Sequence, residues 1–199
     1  MKVIGLCGGS GSGKSLVCSI FNELDIICID ADRVYHDMIS SDSECSKELI
    51  SVFGDEIAAE VGINRARLRE LAFLSKDNLE LLNNITHKHI LKQTRLMISN
   101  VRATTDSKAV IFDAPLLFES GFDKECDITV CVIADDETRI NRIIERDSIT
   151  IDAARARIRA QIPNDELVKK CDYSIENNSS VDALRKRVLE IKHKIIDNN

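Results

Sequence analysis

The sequence lacks any segment suited to crossing a membrane. No stretch of about 18 apolar residues, the length that a spanning helix requires, occurs in the chain. Its first residues form a strand-like segment, Lys2–Cys7, and not the long apolar region of a secretory signal. We therefore expect a cytoplasmic protein with no membrane partner.

Paired cysteine motifs and excess basic charge are also absent. The seven cysteines include no C-x-x-C pair, so their spacing indicates no metal site, and we expect reduced, mostly buried thiols. The net charge of −6 argues against nucleic acid as the main partner, because a phosphate backbone favours a basic surface. A phosphorylated small molecule stays compatible with the charge, since local basic clusters can bind phosphates.

Short apolar runs that alternate with longer helical stretches are present throughout the chain. Most of the runs are continuously apolar, as expected for strands covered on both faces, and the alternation predicts an α/β fold with a five-stranded parallel sheet flanked by helices. The predicted strands are Lys2–Cys7, Ile26–Ile29, Ala109–Phe112, Ile128–Ile133 and Tyr173–Ile175. The predicted helices are Lys14–Glu23, Arg33–Ile39, Cys45–Val52, Arg65–Leu74, Lys76–Arg102, Asp136–Arg146, Ile151–Gln161 and Val181–Ile196.

The chain organisation predicts a single domain with two excursions. The interval 31–107 has no convincing strand and is too long for a plain crossover, so we interpret it as an inserted helical substrate lobe. The arginine-rich interval 146–161 is interpreted as a short lid, and residues 1–30, 108–145 and 162–199 form the core. Such excursions above the carboxyl edge of a parallel sheet are where substrates bind.

A glycine-rich loop at Gly8–Ser15 is the strongest motif. It fits G-x-x-x-x-G-K-S/T, follows a predicted strand and opens a predicted helix. Glycines allow backbone N–H groups to surround phosphate oxygens, and the helix N-terminus adds positive potential. Lys14 can reach the β- and γ-phosphates, and the Ser15 hydroxyl can bind Mg²⁺. The alternative, a glycine-rich turn without a ligand, requires all the fixed positions to coincide by chance.

Acidic residues follow two of the predicted strands. Asp30 and Asp32 come after the second strand, where a carboxylate can accept a proton from an attacking hydroxyl, position Mg²⁺, or only cap the next helix. Asp113 ends the third strand, as does the acid of a Walker B element that holds Mg²⁺, or it is a strand-end acid without a ligand. The apolar loop Asp113–Glu119 is a plausible substrate wall.

Arginines are concentrated after the fourth strand. Arg139, Arg142 and Arg146 recur at i, i+3 and i+7 and share a helix face, and Arg155, Arg157 and Arg159 follow. Guanidinium groups neutralise a transferring phosphoryl group, and we expect two of these six side chains to do so while the rest are solvated. His87 and His89 do not share a helix face, so this spacing indicates no metal site.

Several of these segments together resemble the dephospho-CoA kinase family. They occur in the family's order and span nearly the whole chain. The matching segments are Gly5–Ser15, Ile29–Asp32, Asn64–Arg65 before Leu68 and Phe73, Asp113–Glu119, Arg146–Asp147, Arg157–Gln161 and Cys171–Asn178. The family usually has Thr at Cys7, often Ile at Ser10, Pro at Lys88 and Gly at Ser179.

The resemblance implies a P-loop kinase that uses ATP and Mg²⁺. The residues expected at the ATP phosphates are Gly8, Gly11, Ser12, Gly13, Lys14, Ser15 and Leu16. Arg142, Arg146 and Arg157 are expected to face ATP, and Asn177 lies toward the adenine. Ser15 and Asp113 are the expected Mg²⁺ ligands, while Lys14, Arg142 and Arg146 stabilise the transferring group.

For the acceptor, the resemblance implies dephospho-CoA, phosphorylated on its ribose 3′-hydroxyl to give CoA in the last step of CoA synthesis. Asp32 is the expected base, and Arg65, His87, Leu116 and Leu117 are expected near the CoA moiety. One alternative is a nucleoside or nucleotide kinase on the same core. Another is a nucleotide-dependent switch without turnover, although the N-K-x-D guanine motif of a GTPase is absent. The sequence leaves open a monomer or a small homo-oligomer.

Overall fold

The structure is a computed structural model that describes residues 1–197. Its strands are β1 (Lys2–Cys7), β2 (Ile27–Asp30), β3 (Ala109–Asp113), β4 (Ile128–Ile133) and β5 (Tyr173–Glu176). Its α-helices are α1 (Lys14–Glu23), α2 (Ala31–Ile39), α3 (Glu44–Phe53), α4 (Arg65–Ala72), α5 (Lys76–Thr104), α6 (Asp136–Asp147), α7 (Ile151–Arg159), α8 (Asn164–Lys170) and α9 (Val181–Lys192). Short 3₁₀ turns lie at Asp55–Ile57 and Phe122–Glu125, and a π turn follows α9 at His193–Asp197.

The strands form one sheet in the order β2-β3-β1-β4-β5. The pairings of β1 with β3, β1 with β4, and β4 with β5 are parallel. In this register Leu6 lies opposite Asp113, and Cys7 lies opposite Cys131. The carboxyl ends of the central strands therefore meet at one edge, and the predicted five-stranded parallel sheet is confirmed.

The chain divides into two compact units. The first comprises Met1–Ile29 and the described residues from Val101 onward, and the second comprises Asp30–Asn100. The core of the first unit joins apolar residues of β1, β3 and β4 to those of α1 and α9. The second unit has its own apolar cluster around Ile39, Leu49 and Leu68. The roles of 31–107 as a substrate lobe and of 146–161 as a lid stay predictions.

The helix boundaries differ from the predicted ones where local caps or short lengths decide them. α2 begins at Ala31, two residues early, because the Asp30 carboxylate accepts hydrogen bonds from the backbone of Asp32 and Arg33. α7 ends at Arg159, where Gln161 was predicted, and α9 ends at Lys192, where Ile196 was predicted. α8 was not predicted, because seven residues are too few to show helical periodicity.

All seven cysteines are free. Four of them are buried and three are partly buried, as expected for reduced thiols in an apolar interior. Within residues 1–197, no helix is both long enough and apolar enough to cross a membrane.

Candidate active site

The glycine-rich loop turns between β1 and α1 at the carboxyl edge of the sheet. Gly11 and Gly13 have φ of 77° and 95°, in the left-handed region that a side chain disfavours. Gly13 occupies the N-cap of α1 without a capping side chain, and the Leu16 amide is the first to bond to its carbonyl, at 3.1 Å. The amides of Lys14 and Ser15 thus precede the intrahelical bonds, an arrangement that suits an anion at the helix N-terminus.

Neighbouring groups approach these glycines too closely for any larger residue. A Cβ on Gly11 would lie 2.6 Å from the Arg139 carbonyl oxygen and 2.9 Å from its Cα. A Cβ on Gly13 would collide with the side-chain amide of Asn177. The loop is therefore enclosed by α6 on one side and by the end of β5 on the other.

Arg139 and Gln161 hold the first part of the loop. The Arg139 Nε donates to the Ser10 carbonyl at 3.0 Å, and its Nη2 donates to the Gln161 Oε1 at 2.8 Å. The same Oε1 accepts from the Ser10 amide at 3.0 Å, while the Gln161 Nε2 donates to the Ser10 hydroxyl at 3.1 Å. Arg139 is only 2% exposed, and burial lowers its pKa.

Arg142 and Asn177 hold the second part. The Arg142 Nη1 donates to the Gly11 carbonyl at 3.1 Å, and its Nη2 donates to the Asn177 carbonyl at 3.0 Å. The Asn177 Nδ2 donates to the Ser12 carbonyl at 2.8 Å, and Asn177 is 3% exposed. These bonds fix loop carbonyls, so they help the loop amides to turn toward a ligand.

Lys14 and Asp113 form the charged part of this edge. The Lys14 Nζ lies 3.9 Å from the Asp113 Oδ1, and the Cys18 thiol donates to the Asp113 Oδ2 at 3.6 Å. Ser15 follows Lys14 and is exposed at the surface of α1. Carboxylate and hydroxyl oxygens are hard donors of the kind that Mg²⁺ prefers, so Ser15 and Asp113 fit such an ion.

No cluster of three or more His, Cys, Asp or Glu side chains among residues 1–197 is arranged to hold a metal. Kinases usually bind Mg²⁺ through one or two protein ligands together with phosphate oxygens of the substrate, so such a cluster is not required for the ion.

Arg146 and Arg157 lie near the surface and share a carboxylate. The Arg146 Nε donates to the Asp147 Oδ1 at 2.7 Å, and its Nη2 donates to the Asp147 Oδ2 at 2.9 Å. Arg157 donates to the same Oδ2. These hydrogen bonds, with that of Arg146 first, lower the pKa of Asp147 to about 2. Asp147 thus links the end of α6 to α7.

The residues expected at the acceptor have the following positions within their own units. Asp32 lies in the first turn of α2, where Asp30 supplies the cap by accepting from the Asp32 amide at 2.8 Å. Arg65 begins α4 and its Nη2 lies 3.3 Å from the His36 Nε2. His87 lies on α5 and is half-buried.

The expected apolar wall follows β3. Leu116 is 45% exposed there, whereas Leu117 is fully buried and packs against Gly5. The pairing of both leucines as a wall is therefore corrected: Leu117 is a core residue packed against β1, and of the two only Leu116 offers apolar surface.

A model of the dephospho-CoA kinase family matches residues 2–183 of the chain. A dephospho-CoA kinase from Fusobacterium nucleatum is 42% identical over 189 residues, which cover 94% of this chain and 95% of that relative. The chain belongs to the dephospho-CoA kinase family. A dephospho-CoA kinase from Carboxydothermus hydrogenoformans is 36% identical and covers 98% of this chain and 94% of its own length. The solved structure of a dephospho-CoA kinase from Campylobacter jejuni has a TM-score of 0.73 at 27% identity and covers 99% of this chain and 98% of its own.

Membership of the dephospho-CoA kinase family confirms the resemblance drawn from the sequence. The family is one of ATP-dependent kinases, so the chain has the P-loop kinase fold and is an ATP-dependent phosphotransferase. The glycine-rich loop of this family member is thus its phosphate loop, residues Gly8–Ser15.

The sequence did not identify what holds the phosphate loop in this family member. Arg139 fell among the arginines expected to be solvated, and that prediction is wrong because its side chain is buried against the loop. Gln161 entered the sequence analysis only as a part of the lid motif. Ser10 is separated from Gln161 by 151 positions and from Arg139 by 129 positions. No local pattern predicts a contact across such distances, and the helical spacing of Arg139 and Arg142 was the only available signal.

Proposed function

We propose that this chain transfers the γ-phosphoryl group of ATP to the ribose 3′-hydroxyl of dephospho-CoA, giving ADP and CoA in the last step of CoA synthesis. The observation that carries the proposal is the phosphate loop braced at Ser10, Gly11 and Ser12 in a chain that the family model matches from residue 2 to residue 183. The braced loop accounts for the phosphoryl donor, and the family accounts for the acceptor.

On the ATP side, the backbone N–H groups of Lys14 and Ser15 bond to the phosphates within the Gly8–Leu16 segment, whereas the Ser10 and Leu16 amides already bond to Gln161 and Gly13. The uncapped start of α1 supports this role, because its first amides can bond to phosphate oxygens. Lys14 neutralises the β- and γ-phosphates, and Arg142, Arg146 and Arg157 add charge at the transferring group. Asn177 lies toward the adenine.

Ser15 and Asp113 are the residues that would hold Mg²⁺. Their oxygen donors and their position beside Lys14 support the assignment. When bound, the ion supplies positive charge at the β- and γ-phosphate oxygens. Lys14, whose Nζ lies 3.9 Å from the Asp113 Oδ1, neutralises the same phosphates whether or not the ion is bound.

On the acceptor side, Asp32 orients or deprotonates the 3′-hydroxyl. The cap of α2 comes from Asp30, so capping does not account for an acid at position 32. Arg65, His87 and the exposed Leu116 contact the CoA moiety. Interval 146–161 closes over the phosphates and excludes water, which would otherwise compete as acceptor. We expect this reaction in the cytoplasm.

A panel of acceptors tests the proposal. ADP release is coupled to a dehydrogenase reaction, with dephospho-CoA, adenosine, uridine and AMP offered separately. We expect turnover with dephospho-CoA and a product that carries one more phosphate at the ribose 3′ position. Turnover on a nucleoside or AMP alone would establish the rival kinase, and nucleotide binding without any turnover would establish a switch. Lys14→Ala is the control, since it should abolish transfer to every acceptor.

A further inference from the structure

Three thiols meet directly beneath the phosphate loop. Cys7 is the last residue of β1 and lies opposite Cys131 of β4. The Cys171 thiol, which precedes β5, is 3.5 Å from the Cys7 thiol. Cys131 is close enough to Cys171 for the two thiols to affect each other's ionisation. All three thiols are free. Cys7, the residue directly before Gly8, therefore lies in contact with thiols that can be oxidised.

The three thiols differ in access to solvent and in ionisation. Cys7 and Cys131 are buried, whereas Cys171 is partly exposed at the end of α8. Hydrogen bonds from Cys131 and from Cys7 lower the pKa of Cys171, while its hydrogen bond and burial raise the pKa of Cys7. The thiolate, which is the nucleophilic form, is therefore favoured at the one thiol that solvent reaches.

We propose that Cys171 is an oxidation site for hydroperoxides and that Cys7 resolves the oxidised sulfur into a reversible disulfide. The first step breaks the O–O bond of hydrogen peroxide: the Cys171 sulfur gains one oxygen as a sulfenic acid, and the other oxygen leaves as water. In the second step the Cys7 thiol loses its proton as its sulfur attacks Cys171, and the S–O bond breaks so that the hydroxyl leaves with that proton as a second water. Two thiols are oxidised by two electrons in all, and one peroxide is reduced.

Formation of this bond changes the phosphate loop. The two sulfurs must approach from 3.5 Å to about 2.05 Å, so the backbone or side chains must move by about 1.5 Å. On one side, the Asp172 carboxylate is held by the Thr129 amide at 2.7 Å and by the Thr129 hydroxyl at 2.8 Å. On the other side, Cys7 is joined directly to Gly8. We expect the movement to lower ATP affinity. This consequence rests on the proposed function, whereas formation of the disulfide does not depend on it.

Peptide mapping after peroxide treatment tests the site itself. The full chain is treated with hydrogen peroxide, alkylated and digested without reductant. We expect a Cys7–Cys171 linked peptide that disappears with dithiothreitol. Cys7→Ser should remove the link and leave a Cys171 sulfenic acid that dimedone captures, and Cys171→Ser should abolish both signals. Cys126→Ser is the matched control, because Cys126 is also partly exposed but bonds to the Phe122 carbonyl.

The outcomes separate this site from the proposed activity. If the peroxide-treated wild-type chain gives no Cys7–Cys171 peptide, or gives a Cys171–Cys131 peptide in its place, the proposal is overturned. Both results come from the wild-type chain, so neither depends on the folding of a variant. In the kinase assay, we expect the oxidised chain to show a KM for ATP raised about tenfold or more and restored by dithiothreitol. A chain with no kinase activity under any condition would refute the function and leave the mapped disulfide intact.

Discussion

Gln161 bonds to Ser10 in both directions: its Oε1 accepts from the Ser10 amide, and its Nε2 donates to the Ser10 hydroxyl. The same Oε1 accepts from Arg139, whose Nε binds the Ser10 carbonyl. One amide side chain just beyond α7 thus joins the phosphate loop to α6. The conformation of the loop therefore depends on residues far away in the sequence.

Replacing Gln161 should weaken ATP binding more than it slows transfer. Gln161→Ala removes both bonds to Ser10 and leaves Arg139 with one partner fewer, so the loop loses its preferred shape. Net hydrogen-bond contributions of about 1 kcal/mol each predict a KM for ATP raised about five- to thirtyfold. Steady-state kinetics at varied ATP, with dephospho-CoA saturating, measure the change.

Gln161→Glu is the matched variant. It keeps the oxygen that accepts from Ser10 and Arg139, and the Ser10 hydroxyl can donate to its second oxygen, but it adds negative charge near the triphosphate. Its KM should therefore lie between those of wild type and Gln161→Ala. A lowered melting temperature with an unchanged KM in both variants would reduce Gln161 to a structural role.

An alanine at Gly11 should impair the loop beyond the cost of its backbone conformation. Gly121 has nearly the same φ, 75° against 77°, but no atom lies within 4 Å of a Cβ built there. Both substitutions carry the left-handed penalty of about 1–2 kcal/mol, and only Gly11→Ala also collides with the Arg139 backbone. We expect ATP affinity to fall at least tenfold for Gly11→Ala, measured by calorimetric titration, and to stay unchanged for Gly121→Ala. Equal effects in the two variants would contradict the enclosed loop.

Removing the Asn177 amide should destabilise the protein. Asn177→Ala leaves the Ser12 carbonyl without this buried donor, at a cost of about 1–3 kcal/mol. For a chain of this size, each kcal/mol lowers Tm by about 2–4 °C. The neighbouring Asn178→Ala loses one bond, to the Asp135 amide at an exposed position, and serves as control. Thermal unfolding measures both variants. If Asn177→Ala and Asn178→Ala lower Tm equally, the buried amide of Asn177 contributes no more to stability than the exposed one.

The acid at position 32 should matter for transfer and not for folding. Asp32→Asn removes the proposed base and should lower kcat by about 100-fold or more while ATP binding is retained. Asp30→Asn makes the same chemical change two residues away, and Asn also serves as a helix cap, so we expect nearly normal turnover. Single-turnover phosphoryl transfer measures both. Similar losses in the two variants would assign Asp32 to the local structure of α2.

The sequence by itself determined the position of the phosphate loop and the class of the fold. The strand that ends at Cys7, the glycines and the helix that begins at Lys14 lie side by side in the chain, so local backbone preference and one motif were sufficient. The apolar strands were recognised for a similar reason, because β3 is buried along its whole length.

Tertiary structure alone decided what holds the loop. The sequence left the capping of α2 open between Asp30 and Asp32, and the direction of the Asp30 carboxylate settled that it caps. Arg139, Gln161 and Asn177 reach the loop from distant segments, and Cys171 approaches Cys7 across 164 positions. Parallel strand order brings these segments to one edge of the sheet. Contacts of this kind depend on the packing of the whole chain, which no short stretch of residues encodes.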